Sequence, residues 1–472
     1  MSIKSIKSNK SVVVVGAGPA GYTAAFRCAD LGIKTILIER YSNLGGVCLN
    51  VGCIPSKSLL YVSKTISQSK ALSEYGITFS LPIINIKKLV NWKNQNIKKL
   101  NFALSHMAKK RGVKVITGIA KFVSNNELIV HSEKEDHKIN FNNVIIATGS
   151  QSVKLPFIPY ENKRIWTSTE ALSIPFLPKN LLIIGGGIIG LEMATIYYSL
   201  GSKIDITDNH NQILSTVDTD VIKIFLKSIK NKFNIMLETN ILDIKEVENG
   251  ISVTIDQKGI GKKTTIYDAV LVAVGRLPAT DVLEIEKVGI EIDNKGYIKV
   301  DNQLKTNIEG IYAVGDVTGQ PMLAHKGIHQ AKIAAEVIAE KKHFFDPQVI
   351  PNVAYTEPEI AWTGITEKNA KQLNINYKVA LFPWSASGRA IASDCASSGL
   401  TKLIFNKDTK RLIGGVIIGR NAGELLSEIS LAIEMGCDAQ DLSLTIHAHP
   451  TLSETIPLAA EVYEGTITDL MN

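Results

Sequence analysis

Cys48 and Cys53 stand five positions apart in GGVCLNVGCIPSK (Gly45–Lys57), in a chain of 472 residues that holds only five cysteines. Three kinds of chemistry use such a pair: a structural staple, two legs of a metal site, or a disulfide that opens and closes. Zinc usually wants four ligands, supplied by Cys or His pairs at short spacing. Cys28, Cys395 and Cys437 are isolated from one another, so no second pair completes a metal site. An odd and sparse count also differs from the dense, even framework of secreted domains and fits a reducing cytoplasm. A disulfide needs Cα atoms about 4.4–6.8 Å apart, whereas residues five apart in a regular helix lie about 8–9 Å apart. The segment must therefore bend for the bridge to form, and Gly52 suits that bend. Pro55 fits an early helical turn, where its missing N–H costs little. A bridge over so short a loop adds little entropic stability, so redox work is its better use.

A second constellation lies near the far end. TIHAHPTLSETIPLAAEVYEG holds His447, His449 and Glu454. Pro450 pushes His449 toward an extended conformation, out of any preceding helix. Thr451 and Glu454 also form T-x-x-E ahead of an apolar helix, the signature of a capping box. From the residues alone Glu454 reads equally as a cap or as an imidazole partner, and either histidine by itself reads as structural.

Both constellations need elements to position them, and the glycines predict the first. SVVVVGAGPAGYTAAFRCADLG begins with a strand, Val12 to Val15, and meets G-x-G-x-x-G at Gly16, Gly18 and Gly21. An Ala-rich helix follows, with Cys28 as a small core residue, and then a second strand, TILIE, ends at Glu39. Glycines there permit a tight turn and close backbone approach, so that a pyrophosphate sits on the helix N-terminus while the acid accepts hydrogen bonds from a ribose. The pattern recurs in LLIIGGGIIGLEMATIYYSLGSKIDITD, with Gly185, Gly187 and Gly190 and a second strand ending at Asp208. An acid here repels the extra phosphate of NADP, so this site predicts NAD.

Further strands end in short polar turns at VIIATGS (Val144 to Ser150), LVAVGR (Leu271 to Arg276) and IYAVGD (Ile311 to Asp316). A helix begins near Ala324, and its N-terminus is placed to stabilise the anion of a reduced flavin. Asp316 by itself reads as a turn or cap aspartate. Two dinucleotide folds beside a thiol pair make chemical sense together. Thiols do not deliver hydride to nicotinamide directly, but a flavin accepts an electron pair from a thiolate and passes hydride to NAD+.

With these motifs on the page, GGVCLNVGCIPSK resembles the redox-active disulfide motif of the flavin disulfide reductases, and in particular of those that oxidise dihydrolipoamide. The likeness extends through GGGIIGLE, LVAVGR, AVGDVTGQPMLAHKG, YTEPEIAW, FPWSASGRAIASDCA and HAHPTLSE, essentially the whole chain. The resemblance implies FAD and NAD as cofactors and an α/β fold: two Rossmann-like dinucleotide-binding domains plus a C-terminal α+β dimerisation domain. It implies a Cys48–Cys53 disulfide, His449 as acid/base reaching from the partner subunit, and Glu454 orienting it, with His447 left structural. Substrate thiolate attacks Cys48, and Cys53 leaves as a thiolate against the flavin. FAD contacts are expected from Gly16, Gly18, Gly21, Glu39, Arg40, Gly46, Lys57, Ala120, Gly149, Asp316 and Ala324. NAD contacts are expected from Gly185, Gly187, Ile189, Gly190, Glu192, Asp208, Ile241, Ala273, Gly275 and Arg276. Lys57 is expected to pair with Glu192. Ala120 stands where a glycine can occur, Ala279 where an asparagine is usual, and Gln330 where an acid is usual.

The organisation expected is a flavin domain over 1–150, an inserted NAD domain over 151–278, a return to the flavin domain over 279–349 and a dimerisation domain over 350–472. Partners implied are a second copy of the chain and the lipoyl and subunit-binding domains of the acyltransferase core in 2-oxoacid dehydrogenase complexes, with glycine cleavage as a further setting. Asp208 argues against glutathione reductase, which uses NADP. The ending EGTITDLMN lacks the C-terminal thiol relay of mercuric and thioredoxin reductases. Net charge is +7, but its lysines and arginines are scattered, so no nucleic-acid partner is expected. No run is apolar for a bilayer's thickness, LLIIGGGIIG being interrupted by glycines, and MSIKSIKSNK lacks the apolar core of a secretory signal. Neither membrane attachment nor export is expected, and the expected location is the cytoplasm.

Overall fold

The computed structural model describes residues 11–471, so the N-terminal decapeptide examined for a signal lies outside the described residues. The described chain divides into two compact units. One comprises the chain up to Ser58 with Asn85–Val153 and Gly275–Asp346; the other comprises Leu59–Ile84, Lys154–Val274 and the chain from Pro347. The regions expected as NAD domain and dimerisation domain thus fall in the same unit, and Leu59–Ile84 falls with them.

The first unit is organised by a parallel sheet of five strands in the order Ile311–Ala313, Asn143–Ile146, Ser11–Val15, Lys34–Glu39, Lys114–Thr117. The central strand is an unbroken valine run, as expected of a strand covered on both faces. Val12, Val13 and Val14 are at most 1% exposed, and each such side chain contributes about 1.5–3 kcal/mol of burial. The helix Pro19–Asp30 opens with proline at its first position, where a missing N–H is harmless. Its Ala24, Ala25 and Cys28 join Ala331, Ala334 and Ala335 of the helix Ala324–Ile338 in one buried cluster. On the opposite sheet face, Val13, Val15 and Ile146 meet Phe122, Leu128 and Val130 of an antiparallel three-stranded sheet, Ile119–Ser124, Glu127–His131 and His137–Asn140.

The second unit repeats this plan. Its five parallel strands run Phe233–Met236, Lys203–Thr207, Asn180–Ile184, Ala269–Val272, Ile165–Trp166. An antiparallel three-stranded sheet, Thr239–Val247, Gly250–Gln257 and Gly261–Tyr267, is inserted between Phe233–Met236 and Ala269–Val272, as that of the first unit is inserted between Lys114–Thr117 and Asn143–Ile146. The edge strand is the exception: it comes from before the glycine loop here, and from far downstream in the first unit. The rest of this unit is an antiparallel five-stranded sheet, ordered Asn352–Ala354, Glu359–Gly364, Leu412–Gly419, Leu400–Asn406, Tyr377–Pro383. Helices Ala422–Met435 and Thr455–Glu464 bury Leu426, Ile429, Ile456 and Ala460 in the cluster that holds Phe382, Trp384 and Phe405.

Lys402, on a central strand of that sheet, has a fully buried side chain. Its ammonium lies 3.0 Å from Asp218, 2.8 Å from Asp220 and 2.5 Å from Glu367. These three carboxylates are the one group among the described residues spaced to hold a metal ion, and the ammonium fills the place a cation would take. Burial alone would lower the Lys402 pKa, but hydrogen bonds to Asp220 and Glu367 and the charge of Asp218 outweigh it, and the pKa is raised. A raised amine contributes stability at all pH below its unfolded value and loses it only as pH climbs past the folded one. Lys402→Met leaves three acids uncompensated. The expected cost is about 3–5 kcal/mol, read as a lowered denaturant midpoint at neutral pH; an unchanged midpoint would show the cluster to be inert.

Candidate functional site

The first glycine loop lies between the strand Ser11–Val15 and the helix Pro19–Asp30. Gly16 has φ +98°, and a Cβ there would meet the Ala147 carbonyl oxygen at 2.3 Å. A Cβ on Gly21 would meet the Gly16 carbonyl oxygen at 1.7 Å, so only glycine lets helix and strand pack this closely. Gly18 is the N-cap; no side chain caps the helix, and a Cβ there would meet nothing within 4 Å. First-turn amides without a cap, opening onto free space, form an anion site. Glu39, buried at the end of its strand, accepts 2.7 Å from Ala17 N–H through Oε2 and 3.2 Å from Tyr41 N–H through Oε1. The acid expected to meet a ribose therefore latches the loop.

The thiol segment is bolted to this loop. Gly45 N–H donates to the Ala17 carbonyl at 2.8 Å. A Cβ on Gly46, at φ +56°, would lie 2.6 Å from Gly18 Cα. Asn50 Nδ2 bonds the Leu44 and Gly46 carbonyls, and buried Asn101 bonds Leu44 again and Asn50 Oδ1. Cys48 then sits in the helix Gly46–Val51, and Cys53 opens the helix Cys53–Ala71. Gly52 makes the break between them, as its position implied, but through close approach: a Cβ would sit 2.9 Å from the Val47 carbonyl oxygen.

The two cysteines are present as thiols. Hydrogen bonding to Cys53 and then burial push the Cys48 pKa up, while Lys57 pulls it slightly down. Of the pair, Cys48 is thus a sulfur that holds its proton firmly. Tyr22, on the first helix, has its hydroxyl pKa raised by burial and then by the charges of Cys48 and Cys53. Cys28 is a core residue, as expected, its thiol pushed up to about 12 by burial.

The remaining expected contacts of this unit are distributed around the loop. Gly149 has φ +75° with open space where a Cβ would point. Ala324 is the first residue of its helix. Asp316 lies in the short turn Gly315–Thr318, where Gln330 Oε1 accepts from Gly315 N–H at 2.8 Å. Arg40 stacks on Tyr41, 4.9 Å from ring centre to guanidinium. Ala120 is buried in the antiparallel sheet, paired with Val130. Arg276, expected among the NAD contacts, lies in this first unit with Gly275, and its guanidinium bonds Ser150.

The second loop repeats the contacts of the first. Gly185 has φ +110°, with a Cβ 2.4 Å from the Ala273 carbonyl oxygen; a Cβ on Gly190 would lie 2.0 Å from the Gly185 carbonyl oxygen. Gly187 is again an N-cap without a side-chain cap and with open space beside it. Asp208 Oδ2 accepts from Gly186 N–H at 2.7 Å, the counterpart of Glu39 on Ala17, and Oδ1 accepts from His210 N–H at 2.9 Å. The preceding strand ends one residue short of Asp208, at Thr207. Ile189 lies in the first turn of the helix Ile188–Ser199, and buried Glu192 on that helix accepts from Tyr355 N–H at 3.2 Å. Ile241 packs partly buried against the unit's core.

Near the C-terminus Glu454 meets His449 and does not cap the helix that follows. Oε1 lies 2.8 Å from His449 Nδ1, while Oε2 accepts from Thr451 N–H at 2.6 Å. No capping box forms: the helix begins at Thr455 with Glu454 as its N-cap and no side-chain cap, and Thr451 Oγ1 donates to the Ala448 carbonyl. The His449 side chain is 80% exposed, and Nε2 has no hydrogen-bond partner among the described residues. His447 is tied at both nitrogens, Nδ1 2.8 Å from the Thr445 carbonyl and Nε2 2.7 Å from Glu428, as befits a structural residue. Sequence reasoning missed Asn101, Tyr22 and Ser150. Their partners lie far along the chain, and no local spacing signals them.

The glycine cradles and uncapped helix N-termini fit two dinucleotides, and the comparisons agree. Residues 10–331 match the model of the family described as pyridine nucleotide-disulphide oxidoreductase, and residues 350–460 that of its dimerisation domain. A dihydrolipoyl dehydrogenase of Vibrio cholerae is 58% identical over 469 residues, covering 99% of this chain and 98% of that one. One from Buchnera aphidicola of Acyrthosiphon pisum is 58% identical over 461 residues (98% and 97%), and one from Bacillus subtilis is 41% identical over 456 residues (96% of each). Among solved structures, the HOCl-induced flavoprotein disulfide reductase RclA from Escherichia coli superposes with a TM-score of 0.84 at 27% identity, covering 94% of this chain and 98% of that one. LpdA from Mycobacterium tuberculosis shares the fold at a TM-score of 0.87 and 24% identity, covering 96% and 99%. No helix among the described residues is long and apolar enough to cross a membrane. The chain belongs to the pyridine nucleotide-disulphide oxidoreductases, enzymes that use FAD, NAD and a redox-active thiol pair.

Proposed function

We propose that the chain oxidises protein-bound dihydrolipoamide to lipoamide and reduces NAD+ to NADH, as the dehydrogenase component of 2-oxoacid dehydrogenase complexes. The observation that carries this reading is the thiol segment bonded to the first dinucleotide loop, Gly45 N–H to the Ala17 carbonyl, in a chain whose second loop holds an acid at Asp208. Supporting it, relatives sharing 58% of residues over almost the whole length are named dihydrolipoyl dehydrogenases.

His449 takes a proton from one substrate thiol, with Glu454 orienting the imidazole through Nδ1 and Nε2 left for the proton. The resulting thiolate attacks the Cys48 sulfur of the oxidised pair, and Cys53 departs as a thiolate. The second substrate thiol then displaces Cys48, closing the lipoamide ring and leaving both cysteines reduced. What bound FAD supplies is the two-electron link by which the pair returns to a disulfide and NAD+ becomes NADH. Residues Gly16, Gly18, Gly21, Glu39 and Gly46 would hold FAD, and Gly185, Gly187, Gly190 and Asp208 would hold NAD. The working form is a homodimer in which His449 serves the partner's thiols. Its setting is the cytoplasm, and it docks on the acyltransferase core.

The test is a steady-state assay of the purified, FAD-loaded protein with dihydrolipoamide against NAD+ and NADP+. NAD+ is expected to be preferred by roughly 100-fold in kcat/KM, since a like charge against the 2′-phosphate costs several kcal/mol. No reduction of either coenzyme by dihydrolipoamide, or a preference for NADP+, would refute the reading.

A further inference from the structure

We propose that Ser150 and Arg276 are positioning residues that hold Asp316 for the hydroxylated chain of the dinucleotide bound in the first unit, so that Arg276 serves the flavin cofactor and not the nicotinamide coenzyme. This rests on the proposed function together with the expectation, implied by the resemblance, that Asp316 is an FAD contact.

The geometry is a relay through one hydroxyl. Ser150 Oγ donates its single proton to Asp316 Oδ2. Its lone pairs are then what faces Arg276, whose Nε donates to Ser150 Oγ at 2.7 Å while NH2 donates to the Ser150 carbonyl at 2.6 Å. The fork of the guanidinium is thus spent on one residue, both of whose acceptors it fills. The backbone keeps these partners in place: Arg276–Pro278 and Ser150–Ser152 pair as a two-stranded antiparallel ribbon, with Pro278 opposite Ser150. Ser150 is only 5% exposed, so a hydroxyl without its partners would carry the full penalty of a buried polar group.

Asp316 is held from behind as well. Gln330, 4% exposed, accepts from Gly315 N–H at 2.8 Å and lies within hydrogen-bond reach of Thr318 Oγ1, clamping the turn with a neutral amide. Lys326 is also buried and donates to the Gly319 carbonyl. Burial lowers the pKa of Arg276, with the charges of Asp316 and Cys53 opposing that effect, and Lys326 behaves likewise toward Asp316. The carboxylate therefore has two cations within electrostatic reach and one oxygen fixed by Ser150. Among the described residues Oδ1 makes no hydrogen bond, which leaves it to accept from a ligand hydroxyl. Charged chains of this kind polarise one another, so the acceptor at the end gains from the guanidinium at the start.

The experiment titrates FAD into apoprotein made from Ser150→Ala, Ser150→Thr, Arg276→Met and Arg276→Lys, and measures the flavin absorption spectrum and the KM for NAD+ of the reloaded enzymes. Ser150→Ala and Arg276→Met are expected to weaken FAD binding by roughly 10- to 100-fold, the loss of one charge-assisted hydrogen bond, and to shift the flavin spectrum. The KM for NAD+ is expected to stay within about twofold of the parent, as it does when uniform binding of that substrate is untouched. Ser150→Thr, which keeps the hydroxyl, restores FAD affinity, and Arg276→Lys, which keeps charge without the fork, falls between. Thermal melts of the apoproteins distinguish lost affinity from lost folding; if Ser150→Ala melts early, the Thr and Lys variants decide. A raised KM for NAD+ with unchanged FAD affinity would overturn the proposal. Failure of the unmutated apoprotein to bind FAD would instead refute the reading of Asp316 on which it rests.

Discussion

Cys53→Ser is expected to abolish NAD+ reduction by dihydrolipoamide, with a loss of roughly 10⁴- to 10⁶-fold, the scale of removing a covalent nucleophile or its leaving partner. Serine matches cysteine in size, and Cys53 is exposed at the start of its helix, so the fold and the glycine loop stay intact. The oxygen can neither form the bridge to Cys48 nor leave as a stabilised anion. The variant should keep its FAD and its dimeric state while losing turnover. Cys48→Ser is expected to be equally inactive for a different reason: it removes the sulfur that the substrate attacks. Full turnover by either variant would show that the pair does not carry the electrons.

The second large effect is expected at the imidazole. His449→Gln removes the proposed proton acceptor and is expected to lower kcat about 10²- to 10⁴-fold. Glu454→Gln discriminates more finely, because the carboxylate satisfies two donors at once, the His449 ring through Oε1 and Thr451 N–H through Oε2. A carboxamide has only one acceptor oxygen. Whichever way it turns, its NH2 faces one of these donors. If the oxygen keeps Thr451, the imidazole is offered a donor and the wrong tautomer is favoured; a comparable change in a serine protease triad costs about 10⁴ in kcat. If the oxygen keeps His449, the loop loses a hydrogen bond worth about 1 kcal/mol. Measuring kcat and the denaturation midpoint on the same variant shows which; both unchanged would mean that Glu454 does neither job.

The two loops were legible from sequence because their glycines are required one by one. At Gly21 and Gly190 any Cβ would penetrate a carbonyl oxygen of the same loop, so the spacing encodes the contact. The break at Gly52 was legible for a similar reason, since two thiols five residues apart cannot meet along an unbroken helix. At Glu454 the T-x-x-E spacing pointed to a capping box that does not form, because the helix begins one residue after the acid, whereas the contact with His449 is present. Arg276 shows a different boundary. Its motif, LVAVGR, follows a strand of the second sheet, yet its guanidinium is bonded to Ser150, 126 positions earlier. Lys402 likewise reads as an ordinary strand lysine until Asp218, Asp220 and Glu367 arrive around it. Contacts made across such separations leave no periodicity to read.

The latch formed by Asp208 on Gly186 N–H bears on any attempt to re-engineer coenzyme choice. Swapping that carboxylate for a neutral or cationic side chain would ease the repulsion of a phosphorylated ribose, but it would also untie the turn on which the pyrophosphate is meant to rest. Selectivity and loop order share one side chain, so a working conversion has to graft in a substitute acceptor for that amide together with the new charge. The same holds at Glu39, where an altered sugar preference would loosen the turn that carries the thiols.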